Sequence, residues 1–380
     1  MKEKILVLGT GYMGRIYINN LNEHLGIDQR QIVGVDINSE RFTALSKEFP
    51  EVEFIYSQAD QPLAKFINFN EVGSVFLCTN TPSHHRLLVE LMQNGIRNIF
   101  CEKPLALNME GVNAVRKEKL RTGTHIFTAF LMNFSPAVMH IIERMRAENL
   151  VLIQGEASWG KNRMYDPRPT PGDLEDESVH PIGVFHTLLQ ASGLEINAVY
   201  VGARLSWLDY IDPEVQRKAH EVDPSFPLRV NSSAFINEEV HCSSIPFPIL
   251  LHTSSSYVKG KQVRRVECTL AKHDNPIRPH LAIEFNFDTP AGDILEITRL
   301  AERKAEEPLS FRCQKIAAES EAFLNFVESR TRDPRLTDYL EARMSVKVTD
   351  AIVESDKMGG CRIQAIGEEH ILLRRIINGN

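Results

Sequence analysis

The sequence has little of what nucleic-acid or membrane binding requires. The 380-residue chain carries a net charge of −7, and its Lys and Arg residues form no run longer than a pair. No apolar stretch approaches the roughly 20 residues that cross a bilayer. The N-terminus, MKEKILVLG, lacks the apolar core and cleavage site of a signal peptide. We therefore expect a cytoplasmic protein with neither a nucleic-acid nor a membrane partner.

Metal-binding and disulfide patterns are also missing. The six cysteines form no C-x-x-C pair, and several lie in strand-like segments, where a reduced cysteine acts as a small hydrophobe. The thirteen histidines include no H-E-x-x-H motif, and the adjacent His84 and His85 would diverge on a helix. We expect no metal site and a reducing compartment.

Apolar segments that alternate with helical patterns fill the first third of the chain. Such strands, apolar throughout rather than at every second residue, indicate a parallel sheet covered on both faces. A helix is also expected at about 60–67. The pattern predicts a doubly wound Rossmann domain over residues 1–130, with strands in KILVL, QIVGVD, EFIY, SVFLC, NIFC and HIFTAF.

The pattern of predicted secondary structure changes after about residue 150. Strand candidates there are joined by turns with proline and glycine, and several alternate with period 2, which favours antiparallel pairing. We expect a second, α+β domain over 131–380 with a large open sheet, whose exposed face would join subunits into a homodimer or homotetramer. Helical patterns at 314–330 and 338–358 leave open a return to the first domain. Residues 205–240 are left unassigned.

The segment ILVLGTGYMG places Gly9, Gly11 and Gly14 in G-x-G-x-x-G spacing between a strand and a helix. The first glycine permits a tight turn, the second lets the backbone approach a pyrophosphate, and the third lets helix and strand pack closely. The helix N-terminus offers N–H groups and partial positive charge to phosphates. We predict a dinucleotide site that includes Tyr12 and Met13.

Asp36 ends the second predicted strand, 22 residues after Gly14. A carboxylate at that position accepts the ribose hydroxyls of NAD and repels the 2′-phosphate of NADP. NAD is therefore the favoured cofactor. The alternative is that Asp36 only caps the next helix.

Polar residues follow the fourth and fifth predicted strands, at the edge where ligands of open α/β sheets bind. Glu102, Lys103 and Pro104 follow the fifth strand. The fourth is followed by loop residues that also suit simple turn and capping chemistry through Ser83. We predict that cofactor contacts there come from Thr79, Asn80, Pro82 and His85.

These motifs resemble the Gfo/Idh/MocA oxidoreductases. The resemblance rests on GTGYMG, the aspartate that ends strand two, CTNTPSHH and above all CEKPLAL. It covers most of the chain, since FLMNFSPAV and the C-terminal helices also resemble the family, while 200–300 matches only in its strand-rich character. It implies hydride transfer between a nicotinamide cofactor and a secondary alcohol on a sugar, cyclitol or related polyol. It also implies that Lys103 transfers the proton, that Glu102 helps set the cofactor's nicotinamide ribose region, and that the Lys–Pro peptide is cis.

The residues give physical reasons for such a role. A lysine that is partly desolvated beside a positively charged nicotinamide should have a lowered pKa, as a proton-shuttling base requires. The alternative for Lys103 is a surface salt bridge with Glu102.

The family's second catalytic element is an aspartate and a histidine four residues apart on a helix. Asp176 and His180 have this spacing, which places both on one helical face. The carboxylate would orient the imidazole and raise its pKa. Counting back from Gly193 instead favours His186, and a third reading makes Asp176 a capping acid.

A loop rich in proline, 159–173, precedes this helix. Its Arg163, Tyr165 and Arg168 are candidates for substrate contacts, since arginine binds phosphate or carboxylate groups. A solvated loop is the alternative.

Two other functions remain open from sequence. A protein of this fold could bind the dinucleotide as a signal and regulate a partner, because fold alone does not settle function. It could also use tightly held NAD transiently rather than as a co-substrate. Retention of Glu102, Lys103 and the aspartate–histidine pair favours the dehydrogenase.

Overall fold

The structure, a computed structural model, describes residues 4–163, 170–209, 213–222 and 228–367. Its internal packing divides the chain into two compact units. Unit 1 contains the described residues up to 131 together with 314–346, and unit 2 contains 132–313 and the residues from 347 onward. The expected second domain, 131–380, is therefore interrupted by a segment that belongs with the N-terminal unit.

Regular structure accounts for most of both units. The helices are α1 Tyr12–Asn19, α2 Phe42–Glu48, α3 Thr81–Gln93, α4 Met109–Thr122, α5 Pro136–Glu148, α6 Val179–Ala191, α7 Pro213–Val222, α8 Lys315–Ser329 and α9 Tyr339–Lys357. The strands are β1 Lys4–Leu8, β2 Ile32–Asp36, β3 Glu53–Tyr56, β4 Val72–Leu77, β5 Asn98–Cys101, β6 His125–Thr128, β7 Leu150–Asn162, β8 Ile196–Asp209, β9 Arg229–Cys242, β10 Ile249–Ser256, β11 Val258–Lys272, β12 Asn275–Thr289, β13 Gly292–Arg299, β14 Lys304–Ala305, β15 Leu309–Phe311, β16 Thr337–Asp338 and β17 Ile363–Ile366.

Unit 1 is the doubly wound domain that the sequence predicts. Its seven strands lie in the order β16-β6-β5-β4-β1-β2-β3, and all pairs are parallel except that of β16 with β6. The strand order reverses between β1 and β4, which is the switch point where ligands of such sheets bind. We call the ends of β1, β2, β4 and β5, with the loops that follow them, the carboxyl edge.

Both faces of this sheet are covered. Aromatic side chains of Tyr17, Phe76 and Phe100 pack on one face, together with Phe323 from α8. Leucine and valine side chains of α3 and α4 are buried in the cluster on the other face. Coverage of both faces explains why these strands are apolar throughout. Phe323 shows that α8, although distant in sequence, contributes to the core of unit 1.

The helix expected at about 60–67 is a single 3₁₀ turn, Leu63–Lys65. Leu63 and Ile67 are buried four residues apart, which imitates helical periodicity. Pro62 directly precedes the turn and is not part of a helix. The expectation was wrong because two apolar contacts at helical spacing are too few to define a helix.

Unit 2 contains the large sheet that the sequence predicts. Its main path runs β14-β13-β12-β11-β7-β10-β9-β8-β17, with β15 paired to β13. The described pairs are antiparallel except β10 with β7. The previously unassigned residues 205–240 contain the end of β8, the helix α7 and most of β9.

One face of this sheet is covered by α6, where a Cβ built on Gly155 would lie 2.4 Å from the ring of Phe185. The opposite face exposes large apolar side chains, with Leu250 53% and Phe235 55% exposed. In the described ranges, no helix combines the length and apolar composition that spanning a bilayer requires.

Candidate active site

The three glycines after β1 meet three steric demands at the carboxyl edge. Gly9 has φ +89°, and a Cβ there would lie 2.8 Å from the backbone carbonyl of Cys78. A Cβ on Gly14 would lie 1.9 Å from the carbonyl oxygen of Gly9. A Cβ on Gly11 would meet only the guanidinium of Arg41, at 3.4 Å. Gly9 and Gly14 thus pack against backbone, while Gly11 leaves its side of the loop open.

Helix α1 begins directly at this open position. Gly11 is its N-cap, and a glycine has no side chain that could cap the first turn. Tyr12 is 66% exposed, and Met13 is half-buried. An uncapped helix N-terminus approached by a glycine backbone suits a pyrophosphate. These residues therefore fit a dinucleotide.

Asp36 is buried at the end of β2 and makes more contacts than the sequence indicates. Its Oδ2 accepts hydrogen bonds from the backbone N–H of Thr10 (2.7 Å), from the Thr10 hydroxyl (3.0 Å) and from Arg41 (2.8 Å). Its Oδ1 accepts from the N–H of Asn38 at 2.9 Å. Asp36 thus joins the glycine loop to the turn after β2. Arg41, five residues further along, was missed by sequence reasoning.

The loop after β4 contains the predicted residues Thr79, Asn80 and Pro82. The hydroxyl of Ser83 lies 2.8 Å from the Thr79 hydroxyl and 2.7 Å from the side-chain oxygen of Asn80. Pro82 occupies the first turn of α3, where its missing N–H costs nothing. The N-cap of α3 is Asn80, with no side-chain capping hydrogen bond, and Ser83 lies inside the helix, so the capping role considered for Ser83 is wrong.

The two adjacent histidines of α3 point to different surroundings. His85 is half-buried, and its Cβ would lie 3.2 Å from a Cβ built on Gly111 of α4. His84 is fully buried, and its ring nitrogens lie against backbone carbonyls of two loops at the carboxyl edge. Sequence reasoning named His85 and missed His84.

Glu102 and Lys103 follow β5, and the Lys103–Pro104 peptide is cis, as the resemblance implies. Glu102 is buried, and Tyr17 donates a hydrogen bond to it at 3.0 Å. The backbone N–H of Lys103 donates to its other oxygen at 3.2 Å. Burial raises the pKa of Glu102, while the charge of Lys103 acts in the opposite direction. Lys103 itself is half-buried.

A second buried acid, Glu319 of α8, interacts electrostatically with Glu102 and Tyr17. It is 2% exposed and accepts a hydrogen bond from the backbone N–H of Phe130 at 2.9 Å. Burial, and then the charge of Glu102, hold the pKa of Glu319 well above its ordinary value. The same two causes raise the pKa of Tyr17. No local signal could have found Glu319, because its partner lies 189 residues away in sequence.

In unit 2, Asp176 is held by an arginine and a tyrosine. Arg163 forms an ion pair with its Oδ2, and the hydroxyl of Tyr257 donates to the same oxygen at 3.0 Å. The Arg163 guanidinium also lies 5.3 Å from the centre of the Tyr257 ring. Arg163 is 8% exposed, so its pairing with Asp176 is largely shielded from solvent on the arginine side.

The two candidate histidines of unit 2 have different environments. His180 is half-buried and stacks on Trp159, with ring centres 5.7 Å apart. His186 is buried, and its Nε2 lies 3.0 Å from Oε2 of Glu238 on β9. Glu238 is 1% exposed. His186 is thus a buried histidine paired within the core of unit 2.

Two predicted substrate contacts, Tyr165 and Arg168, lie outside the described residues. Within the described ranges, no group of three or more His, Cys, Asp or Glu side chains is arranged to hold a metal ion.

Comparison with known proteins finds a family match for the N-terminal part of the chain. A model of the Gfo/Idh/MocA family, described as an oxidoreductase family with an NAD-binding Rossmann fold, matches residues 3–130. The resemblance proposed from the motifs is therefore confirmed for this part of the chain.

Curated relatives are distant in sequence. An inositol 2-dehydrogenase of Paracoccus denitrificans is 25% identical over 69% of this chain and 80% of its own length. A myo-inositol 2-dehydrogenase of Thermotoga maritima is 26% identical over 61% of this chain and 66% of its own length.

Solved structures extend the likeness to both units. An aldose-aldose oxidoreductase of Caulobacter crescentus, 17% identical, covers 96% of this chain and 100% of its own, with a TM-score of 0.70. A levoglucosan dehydrogenase in complex with NADH, 14% identical, covers 96% of this chain and 99% of its own, with a TM-score of 0.69. At these identities the likeness establishes the fold.

Proposed function

We propose that this chain, whose N-terminal unit belongs to the Gfo/Idh/MocA oxidoreductase family, is an NAD(P)-dependent dehydrogenase of a secondary alcohol on a sugar, cyclitol or related polyol. The observation that carries the proposal is the position of Glu102 and Lys103. They follow β5 at the carboxyl edge of the sheet whose glycine loop fits a dinucleotide.

Lys103 is the proposed acid/base. The bound nicotinamide accepts or returns the hydride, and the side-chain amine of Lys103 takes the hydroxyl proton or gives it back. The buried carboxylate of Glu102 accepts from the Lys103 backbone N–H and so orients this residue. Tyr17, which donates to the other oxygen of Glu102, holds that carboxylate in place.

His180 is proposed to hold the substrate oxygen or to relay its proton, with Asp176 as the acid that orients its ring. The stacking of His180 on Trp159 fixes its ring plane. The buried pair of His186 and Glu238 favours His180 over His186 for this role. Arg163 and Tyr257 hold Asp176, so we propose that Arg163 acts through Asp176.

The cofactor preference is proposed to be NAD, with NADP also accepted. Asp36 carries the negative charge that disfavours a 2′-phosphate. Arg41, however, pairs with Asp36 at 2.8 Å, and its side chain is 47% exposed. An exposed guanidinium at this position can turn to a 2′-phosphate, because arginine recognises phosphate in a bidentate manner.

The names of the relatives support a cyclitol or sugar as the substrate to test first. The curated relatives described above are inositol dehydrogenases, and the structural neighbours include oxidoreductases of aldoses and of levoglucosan. No described residue selects among these polyols, so the substrate class stays at a secondary alcohol.

An NAD⁺-reduction screen over inositols, aldoses and levoglucosan tests the proposal. We expect absorbance of free NADH at 340 nm with at least one polyol, and a smaller rate with NADP⁺. A chain that binds NADH tightly but reduces no polyol would instead favour a regulatory role. Product formation without free NADH would favour an enzyme that uses held NAD transiently.

We further propose a cytoplasmic homo-oligomer joined through the outer face of the unit 2 sheet. Support comes from Phe235 and Leu250, which are more than half exposed on neighbouring strands of that face. Apolar side chains of this size on a sheet face favour burial in an interface. Light scattering of the wild type and of a Phe235→Glu, Leu250→Glu double variant tests this proposal, which fails if both have the same mass.

A further inference from the structure

His84 connects two loops of the carboxyl edge through backbone groups. It is 0% exposed, and its Nδ1 lies 2.8 Å from the carbonyl oxygen of Pro104. Its Nε2 lies 3.1 Å from the carbonyl oxygen of Thr79. Pro104 directly follows Lys103, and Thr79 is the second residue after the end of β4. One side chain therefore spans the loops after β4 and β5.

The protonation chemistry of the ring decides which contact is a hydrogen bond. A neutral imidazole has a single N–H, whereas an imidazolium donates through both nitrogens. Burial lowers the pKa of His84, and the nearby charges of His85 and Lys103 lower it further, while the two carbonyls act in the opposite direction. The net shift favours the neutral ring, which can donate to only one of the two carbonyls, and the contact with Pro104 is the shorter of the two at 2.8 Å.

The remaining contacts of His84 are consistent with a fixed ring. The Sγ of Cys101 lies 3.6 Å from Nδ1, and its thiol donates to the carbonyl of Glu102 at 3.2 Å. The pKa of Cys101 is raised by burial and then by Glu102, so this neighbour is a neutral thiol. The groups around the ring thus include two carbonyls and a thiol, with the side chains of Lys103 and His85 nearby.

We propose that His84 is a positioning residue for Lys103. By donating to the carbonyl of Pro104, the ring fixes the turn that carries Lys103 against the loop after β4. The inference rests on the acid/base role proposed for Lys103, and it extends that role to a buried residue that contacts neither cofactor nor substrate. Misplacement of a catalytic group by about 1 Å can cost about 100-fold in rate, so fixing this turn has a measurable effect.

Three variants separate the two ring nitrogens. In His84→Asn the side-chain amide occupies the place of Nδ1 and can still donate to Pro104. In His84→Gln the amide reaches the place of Nε2 and can donate only to Thr79. His84→Leu removes both contacts while filling the buried space. The control is His125→Asn, at an exposed histidine that begins β6, at the opposite edge of the same sheet.

The expected result is a split between turnover and cofactor binding. With the polyol found in the screen, kcat falls about 100-fold in His84→Gln and His84→Leu and stays within about threefold of wild type in His84→Asn. The Kd for NADH, from its fluorescence, changes by less than about threefold in all variants. A purely structural role would instead lower kcat in proportion to lost thermal stability, without rescue by asparagine.

A measurement without substrate keeps this inference separate from the proposed function. Hydrogen exchange of the peptide over 101–107, followed by mass spectrometry on the NADH-bound protein, should accelerate in His84→Gln and His84→Leu. It should stay as in wild type in His84→Asn and His125→Asn. Equal exchange in all variants, or equal loss of kcat in His84→Asn and His84→Leu, overturns the proposal even if the polyol is correctly identified. Absence of turnover in the wild type would overturn the proposed function, and the exchange result would still decide the role of His84.

Discussion

The candidate residues of the two units differ in what holds their charged side chains. In unit 1, Glu102 and Lys103 are positioned by backbone groups at strand ends and by Tyr17. In unit 2, Asp176 is positioned by side chains from other elements, namely Arg163 and Tyr257. A site built on strand ends follows from the order of elements in the chain, whereas a site built on side-chain pairs depends on which strands become neighbours.

The buried histidines of the two units also differ in what their rings contact. His84 and His186 are both buried, and one binds backbone carbonyls while the other pairs with a buried carboxylate. His180, in contrast, is half-buried and stacks on Trp159. Burial alone therefore does not identify a catalytic histidine. The groups that the ring contacts must be considered as well.

The largest expected effect concerns Lys103. Lys103→Ala should lower kcat by about 10³-fold, because general acid/base catalysis contributes typically 10²–10⁴-fold. NADH affinity should stay close to that of wild type, since the glycine loop and helix α1 are unchanged. Stopped-flow turnover and NADH fluorescence measure the two quantities. Lys65→Ala, at an exposed lysine of unit 1, is the control, and normal turnover of Lys103→Ala would remove the assigned role.

The second prediction contrasts the histidines of unit 2. His180→Asn should lower kcat about 100-fold at unchanged stability. His186→Leu should leave Glu238 buried without its partner and lower the free energy of unfolding by about 3 kcal/mol. Urea unfolding and steady-state kinetics distinguish the two. If His186→Leu kept its stability and lost turnover, the catalytic role would belong to His186 instead of His180.

A smaller effect is expected at the cofactor ribose. Arg41→Ala should weaken NADP⁺ binding about tenfold, which is about 1.4 kcal/mol, and should weaken NAD⁺ binding much less. The reason is that Arg41 is the cation beside Asp36. Calorimetric titration with both cofactors measures the change. Arg30→Ala, at an exposed arginine that precedes β2, is the control, and an equal loss for both cofactors would contradict the prediction.

The smallest effect concerns the buried acid Glu319. Its pKa is raised in the folded protein, so the folded state holds the proton more tightly than the unfolded state. Stability should therefore fall as pH rises from the ordinary glutamate range toward the folded pKa. Glu319→Gln keeps an acceptor for Phe130 and should flatten this decline. Thermal unfolding from pH 4 to 8 measures it, and Glu321→Gln, exposed on the same helix, should unfold like wild type.

Much of unit 1 could be predicted from sequence because its signals are local. The glycines after β1, Asp36 at the end of β2 and the residues after β5 each lie directly at the end of an apolar run. The carboxyl ends of parallel strands lie at one edge of the sheet, so the order of elements along the chain is enough to predict that these residues lie near one another. The short turn at Leu63–Lys65 shows the limit of this reasoning, since two buried residues at helical spacing did not make a helix.

The rest could not be predicted because it depends on contacts between distant segments. The pair of Glu319 with the Phe130 backbone, and that of Tyr257 with Asp176, join residues 189 and 81 positions apart. The sequence of α8 also does not indicate that this helix packs in unit 1, because an amphipathic helix can cover any apolar face. The pairing of His186 with Glu238 on β9 likewise joins residues far apart in the sequence.

The sequence by itself determined the Rossmann fold of unit 1, the glycine loop and the position of Lys103, because strand ends and turn residues are properties of neighbouring positions in the chain. Only the tertiary structure decided which side chains fix them: Arg41 beside Asp36, and His84 against the carbonyl of Pro104. Hydrogen bonds and ion pairs act over a few ångströms in space, and the folded backbone alone sets which distant groups come that close.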